Sequence, residues 1–168
     1  MGGEYQLLVE QAKKKDPQAF TMLYEMLYQD MYRFAVYTLK NEADAEDAVG
    51  DAVADAYASI GKLRDASAFR GWMFKILSIK CKRKLKEYVD RPAALPEELT
   101  CAGENITEEL QVRQAFFRLD DEERFIVSMR VFGGYDSKEI GAILHKNPNT
   151  VRSRLSRALK KMEEYLQE

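Results

Sequence analysis

Apolar positions recur at helical spacing along nearly the whole chain, and no convincing run alternates with period two. Asp16-Pro17 reads as a helix cap followed by proline in the first turn. Behind it Phe20, Leu23, Tyr24, Leu27, Met31, Phe34 and Ala35 fall on one helical face. A second helix is predicted from Asn41 to about Ile60. A third runs from about Ser67 through Phe69, Trp72, Met73, Ile76 and Leu77 into a basic stretch. Between Tyr88 and Thr107 the periodicity fades and Pro92, Pro96 and Gly103 appear. An aperiodic segment of that length is unusual inside a compact domain and common between domains. Helical spacing resumes at 107–118, 121–132, 137–144 and 148–166, with Asp120/Glu123 and Asp136/Glu139 spaced as capping boxes. The pattern predicts an all-α chain of two small helical domains, residues 1–88 and 107–168, joined by a linker over 89–106.

Composition narrows the function classes. The 168 residues are 46% hydrophobic and 32% charged, too rich in core formers for disorder and too polar for membrane insertion. Met1 to Lys15 lacks an apolar core followed by a small-residue cleavage site, so no secretory signal is expected. Two cysteines, Cys81 and Cys101, and the single His145 supply neither a disulfide framework nor a four-ligand zinc site. A reducing cytoplasm is the expected compartment, with no metal or other cofactor.

The net charge of −2 conceals a segregation. Lys40 to Asp55 holds six acids and one base; Lys75 to Arg91 holds seven bases and two acids; Pro148 to Lys161 holds five bases and no acid. One acidic and two basic patches point to a protein partner together with a polyanion.

The last basic patch lies in the most informative stretch. A short helix carrying Ile140, Ile143 and Leu144 is followed by His145-Lys146-Asn147 and a new cap-plus-proline start at Asn147-Pro148. Short helix, tight turn and longer basic helix is the helix-turn-helix plan. Val151, Leu155, Ala158, Leu159, Met162 and Leu166 form the expected inward stripe, while Asn149, Ser153, Ser156, Arg157 and Lys160 lie opposite. Thr150, Arg152 and Arg154 flank that donor-rich face, which suits major-groove reading. His145 reads as a turn residue in the left-handed region, not as a ligand.

The segment Asp44-Ala45-Glu46-Asp47-Ala48-Val49-Gly50-Asp51-Ala52-Val53 resembles the core-polymerase-binding segment of extracytoplasmic-function (ECF) sigma factors. Asp16 to Tyr24 resembles that group's opening helix, and Phe69 to Leu77 its tryptophan-bearing third helix. Leu119 to Arg157, above all Thr150-Val151-Arg152-Ser153-Arg154-Leu155, resembles its promoter-binding helix-turn-helix. The chain departs from the family's usual residues at Gly50, Val53, Ile79 and His145.

The resemblance implies a non-enzymatic transcription initiation factor whose partners are core RNA polymerase, promoter DNA and an anti-sigma factor. It assigns Asp44, Glu46, Asp47, Asp51 and Asp55 to polymerase binding. It assigns Lys62, Arg64, Asp65 and Ser67, in a loop that captures an unstacked non-template base, to the minus-ten element. Lys80, Lys82, Arg83 and Lys84 would hold phosphates beside it. Arg130, Asn149, Thr150, Arg152, Ser153, Arg154, Ser156 and Arg157 fall to the minus-thirty-five element, Arg130 gripping backbone rather than base. An ordinary dimeric helix-turn-helix regulator would leave the Asp44–Asp55 segment and the basic third helix without a role. A metal-dependent nuclease would need catalytic partners that the scattered acids lack.

Overall fold

The computed structural model describes residues 2–90 and 107–168. The linker expected at 89–106 lies outside the described residues except for Val89 and Asp90, as does Cys101. Eight helices are described: α1 (Gly2–Lys13), α2 (Pro17–Leu39), α3 (Glu42–Ser59), α4 (Phe69–Asp90), α5 (Glu108–Phe117), α6 (Asp121–Val131), α7 (Ser137–Leu144) and α8 (Pro148–Gln167). Single 3-10 turns at Ile60–Lys62 and Ala66–Ala68 connect α3 to α4. No helix among the described residues is long and apolar enough to cross a membrane.

The sequence signals act where they were read. Asp16 accepts hydrogen bonds from the Gln18 and Ala19 amides, with Pro17 in the first turn of α2. Asn41 caps α3 through the Asp44 amide at 2.9 Å. Asp120/Glu123 and Asp136/Glu139 both close reciprocal capping boxes. His145 ends α7 at φ 56°, and the following Lys146 amide reaches the Gly141 carbonyl at 2.9 Å. A left-handed conformation costs a residue with a Cβ about 1–2 kcal/mol, part of which glycine returns by gaining freedom in the unfolded chain. His145→Gly is therefore expected to stabilise the protein by about 0.5–1 kcal/mol, read as a rise in thermal midpoint. Gly50 has open space where a Cβ would sit in mid-α3. Gly50→Ala should add a similar increment, about 1 kcal/mol.

Helices α1 to α4 bury Leu23, Met31, Phe34, Phe69, Met73, Phe74 and Leu77 against one another. Two expectations need correction. The spacing picks out no helix ahead of Asp16, yet α1 lies there; it buries only Val9 and Ala12, too little for a clear stripe. In α8 Val151, Ala158 and Met162 are buried, whereas Leu159 and Leu166 are exposed, so the inward stripe is narrower than spacing suggested.

The two helical halves share one core. Phe34 of α2 meets Phe125 of α6 edge-on at 6.2 Å and Phe74 of α4 at 6.0 Å. Tyr37 stacks on Phe116 of α5 at 4.8 Å and tilts against Phe132 at 5.3 Å. Buried Arg124 donates to the Thr38 carbonyl across the junction at 3.2 Å and to the Leu119 carbonyl at 2.6 Å, and also pairs with Asp121. Lys40 donates to the Phe117 carbonyl at 3.1 Å, and Arg113 pairs with Glu42 at 3.1 Å. A largely apolar junction holds domains together, where a small polar one lets them move independently.

Candidate nucleic-acid interface

Helix α8 begins at Asn147, whose side chain accepts from the Asn149 amide at 2.8 Å. Asn149, Thr150, Arg152, Ser153, Ser156 and Arg157 are all exposed. Arg152 reaches Asn149 Oδ1, Ser153 Oγ donates to the Asn149 carbonyl at 3.0 Å, and Arg157 Nε to the Ser153 carbonyl at 3.3 Å. These bonds pre-orient a row of donors while leaving the face open. Turn geometry fixes its aim, because Gly141 of α7 lies so close to the turn that a Cβ would stand 2.6 Å from the Lys146 carbonyl oxygen. Arg154 stands apart: it turns toward α6 and pairs with Glu122 at 2.9 Å.

Arg130 is exposed at the end of α6 and donates to the Tyr135 carbonyl at 3.3 Å. With Asp136, whose carboxylate accepts from the Glu139 amide, and with Ser137, Lys138 and Arg152 it lines a shallow cavity of about 450 Å³ beside the start of α7. Three cations there suit a phosphate better than a base edge. Lys138 was missed in the sequence because it stands outside the charge-rich runs.

On α3 the side chains of Glu46, Asp47, Asp51 and Asp55 are exposed and Asp44 is partly buried. Asp44 accepts from the Tyr88 hydroxyl and lies 3.9 Å from Lys84; Asp55 pairs with Lys80 at 2.6 Å. Burial first, then the Asp44 contact, pushes the Tyr88 hydroxyl well above its ordinary range, so it stays a donor. Part of the acidic patch thus neutralises part of the basic run on the neighbouring helix. Lys82 donates to the Ile143 carbonyl in the second half at 3.2 Å. Arg83 and Lys86 are exposed and enter no ion pair among the described residues.

Lys62, Arg64, Asp65 and Ser67 are exposed in the connection before α4. Asp65 accepts from the Ser67 amide at 2.9 Å and its hydroxyl at 2.7 Å, which holds the Asp65 carboxyl below its ordinary range. Trp72 is half-buried, its ring 6.0 Å from Phe69. It packs partly on the core and partly lines a cleft of about 630 Å³ with Leu63, Ser67, Lys75, Tyr135 and Ile143.

The second half forms one side of this cleft. The Tyr135 hydroxyl donates to the Gly71 carbonyl, and Arg70 donates to the Phe132 carbonyl at 2.7 Å and pairs with Asp30 at 3.2 Å. Burial, reinforced by Glu139, pushes the Tyr135 hydroxyl up to about 12. Its contribution to this contact is complete below the ordinary tyrosine value and is lost as pH rises through about 12. Among the described residues no cluster of Asp, Glu, His or Cys is arranged to hold a metal ion.

Residues 23–89 match the family description Sigma-70 region 2, and residues 109–162 match Sigma-70, region 4. The RNA polymerase sigma factor SigV of Bacillus subtilis is 32% identical over 137 residues, covering 80% of this chain and 82% of its own length. The ECF RNA polymerase sigma-E factor of Escherichia coli is 29% identical over an alignment of 180 positions, covering 96% and 94%. Among solved structures, the sigma factor RpoE in complex with the anti-sigma factor NepR, from Bartonella quintana, superposes with a TM-score of 0.71. It covers 88% of this chain and 96% of its own at 21% identity. CnrH in complex with the cytosolic domain of CnrY superposes at 0.67, covering 96% of each chain at 23% identity. These two superpositions establish a shared fold.

Proposed function

The chain belongs to the ECF group of RNA polymerase sigma factors, and from that premise we propose a division of its surface between polymerase, the minus-ten element and the minus-thirty-five element. Glu46, Asp47 and Asp51 on the outer side of α3, with Asp44 and Asp55 at its ends, meet the basic surface of core polymerase. Complementary charge there sets encounter rate and register more than raw affinity. Lys62, Arg64, Asp65 and Ser67 surround an unstacked non-template base, with Trp72 at the edge of the same cleft. Extruding a base costs a few kcal/mol, which pocket contacts and stacking offset. Lys80, Lys82, Arg83 and Lys84 serve the adjacent phosphates. Arg83 is ready as it stands; the other three must first leave Asp55, Ile143 and Asp44.

The observation that carries the reading is the open, acid-free face of Asn149, Thr150, Arg152, Ser153, Ser156 and Arg157 on the second helix of a helix-turn-helix. Arg130 supports it from the backbone side. The factor has no catalytic activity of its own and works in the cytoplasm. RpoE was solved with the anti-sigma factor NepR, and CnrH with the cytosolic domain of CnrY; an anti-sigma factor holds this chain as NepR holds RpoE.

Free chain should bind DNA poorly for two reasons. Its acidic face opposes phosphates, and Lys82 is tied to the Ile143 carbonyl of the second half, which also lines the cleft beside Trp72. A gel shift with promoter DNA should therefore give a specific band only when core polymerase is added. Tight, specific binding by the free chain would refute the reading.

A further inference from the structure

Glu122 stands in the first turn of α6, outside every surface assigned above. Its Oε1 lies 2.9 Å from Arg154 Nη1 on α8 and 3.2 Å from Lys146 Nζ in the turn before α8. That oxygen is inaccessible to solvent and has no aligned hydrogen bond, so the two cations hold it by charge alone. All three side chains are about one-third exposed: 30% for Glu122, 33% for Lys146 and 38% for Arg154. One carboxylate thus gathers two cations of the helix-turn-helix and turns them toward α6.

We propose that Glu122 is a positioning residue for promoter specificity, withholding Arg154 from the DNA backbone while anchoring Lys146 in the turn. On the helix, Arg154 neighbours buried Val151 and Ala158, whereas Arg152, Ser153, Ser156 and Arg157 are exposed. From the rim of that face a long guanidinium reaches phosphates, which carry no sequence information. Each added phosphate contact strengthens binding to every duplex alike and steepens its salt dependence by about 0.9 in log–log slope. Held by Glu122, Arg154 leaves discrimination to the donors on the outer face. Lys146 is anchored by the same charge, which fixes the turn and hence the angle at which α8 enters the groove.

The inference rests on the proposed reading of the minus-thirty-five element by α8, and its test separates the two. Holoenzyme assembled from core polymerase and full-length chain is titrated against two probes over a range of salt. One is a duplex enriched by the wild-type holoenzyme from a random-sequence pool; the other is an unrelated duplex of equal length. Glu122→Gln, which keeps size and removes charge, should steepen the salt slope on both probes by about 1. It should also reduce preference for the enriched duplex about three- to tenfold, since the new contact is blind to sequence. Arg154→Ala alone should leave the slope unchanged, and adding it to Glu122→Gln should return the slope most of the way to wild type. An unchanged or shallower slope in Glu122→Gln would overturn the proposal, as would a slope reduced by about 1 in Arg154→Ala. Arg157→Ala serves as the control: if it binds the enriched duplex like wild type, the reading of α8 has failed and not merely the role of Glu122.

Discussion

In urea, Phe125→Ala is expected to unfold about 2 M earlier than the parent chain, a loss of about 3–5 kcal/mol. Phe125 is almost fully buried, at 1% exposure, and its ring lies 6.2 Å from Phe34 in the opposite half. Truncation removes the transfer free energy of the ring and leaves a cavity that rigid neighbours on α2 and α4 only partly fill. The edge-on aromatic contact adds about 0.5–1.5 kcal/mol beyond buried area. The informative readout is the single tryptophan, Trp72, which sits in the first half. Because Phe125 belongs to the same core as Phe34 and Phe74, its truncation should move the Trp72 fluorescence transition together with the far-ultraviolet dichroism transition. A loss below about 1 kcal/mol, with the Trp72 transition unmoved, would mean that the second half does not stabilise the first.

Arg157→Ala is expected to weaken holoenzyme binding to its own promoter by about 1–3 kcal/mol, roughly 5- to 150-fold, and to relax selectivity at one base pair. Arg157 is exposed on the outer face of α8, its Nε braced on the Ser153 carbonyl at 3.3 Å, so its fork is aimed before DNA arrives. A guanidinium so placed has the geometry for bidentate pairing with guanine, and on the proposed reading its loss would leave the base edge unanswered. Arg130→Ala and Lys138→Ala should behave differently. Each should weaken binding to all sequences alike and lower the salt slope by about 1, as expected of phosphate contacts. Competition between the promoter and single-base variants separates the two classes. Equal affinity and unchanged base preference in Arg157→Ala would remove α8 from promoter reading.

Much of this architecture is legible in the sequence because its signals are local. Asp16-Pro17, Asn41, the two capping boxes and Asn147-Pro148 each act within one helical turn, so the elements they start appear where they are read. The same holds for His145, whose left-handed backbone belongs to the turn itself. Docking of the halves is not legible. Phe34, Tyr37 and Phe125 sit at ordinary helical spacing, and spacing says that a residue is buried without saying against what. The charge runs mislead for a related reason. Summed along the chain, the acids of α3 and the bases of α4 look like separate docking patches. Packed side by side, Asp55 takes Lys80 and Asp44 takes Lys84 and Tyr88, which leaves a smaller acidic face and a smaller basic one. Glu122 is the extreme case, an unremarkable acid in a helix's first turn whose two partners lie 24 and 32 residues away.

The most direct test of the sigma-factor assignment is to incubate the purified chain with bacterial core RNA polymerase and map transcript starts on genomic DNA. The account predicts co-elution with core and discrete starts that require both components, each preceded by a common pair of promoter elements. No association with core, together with free chain binding a palindromic site as a dimer, would contradict it.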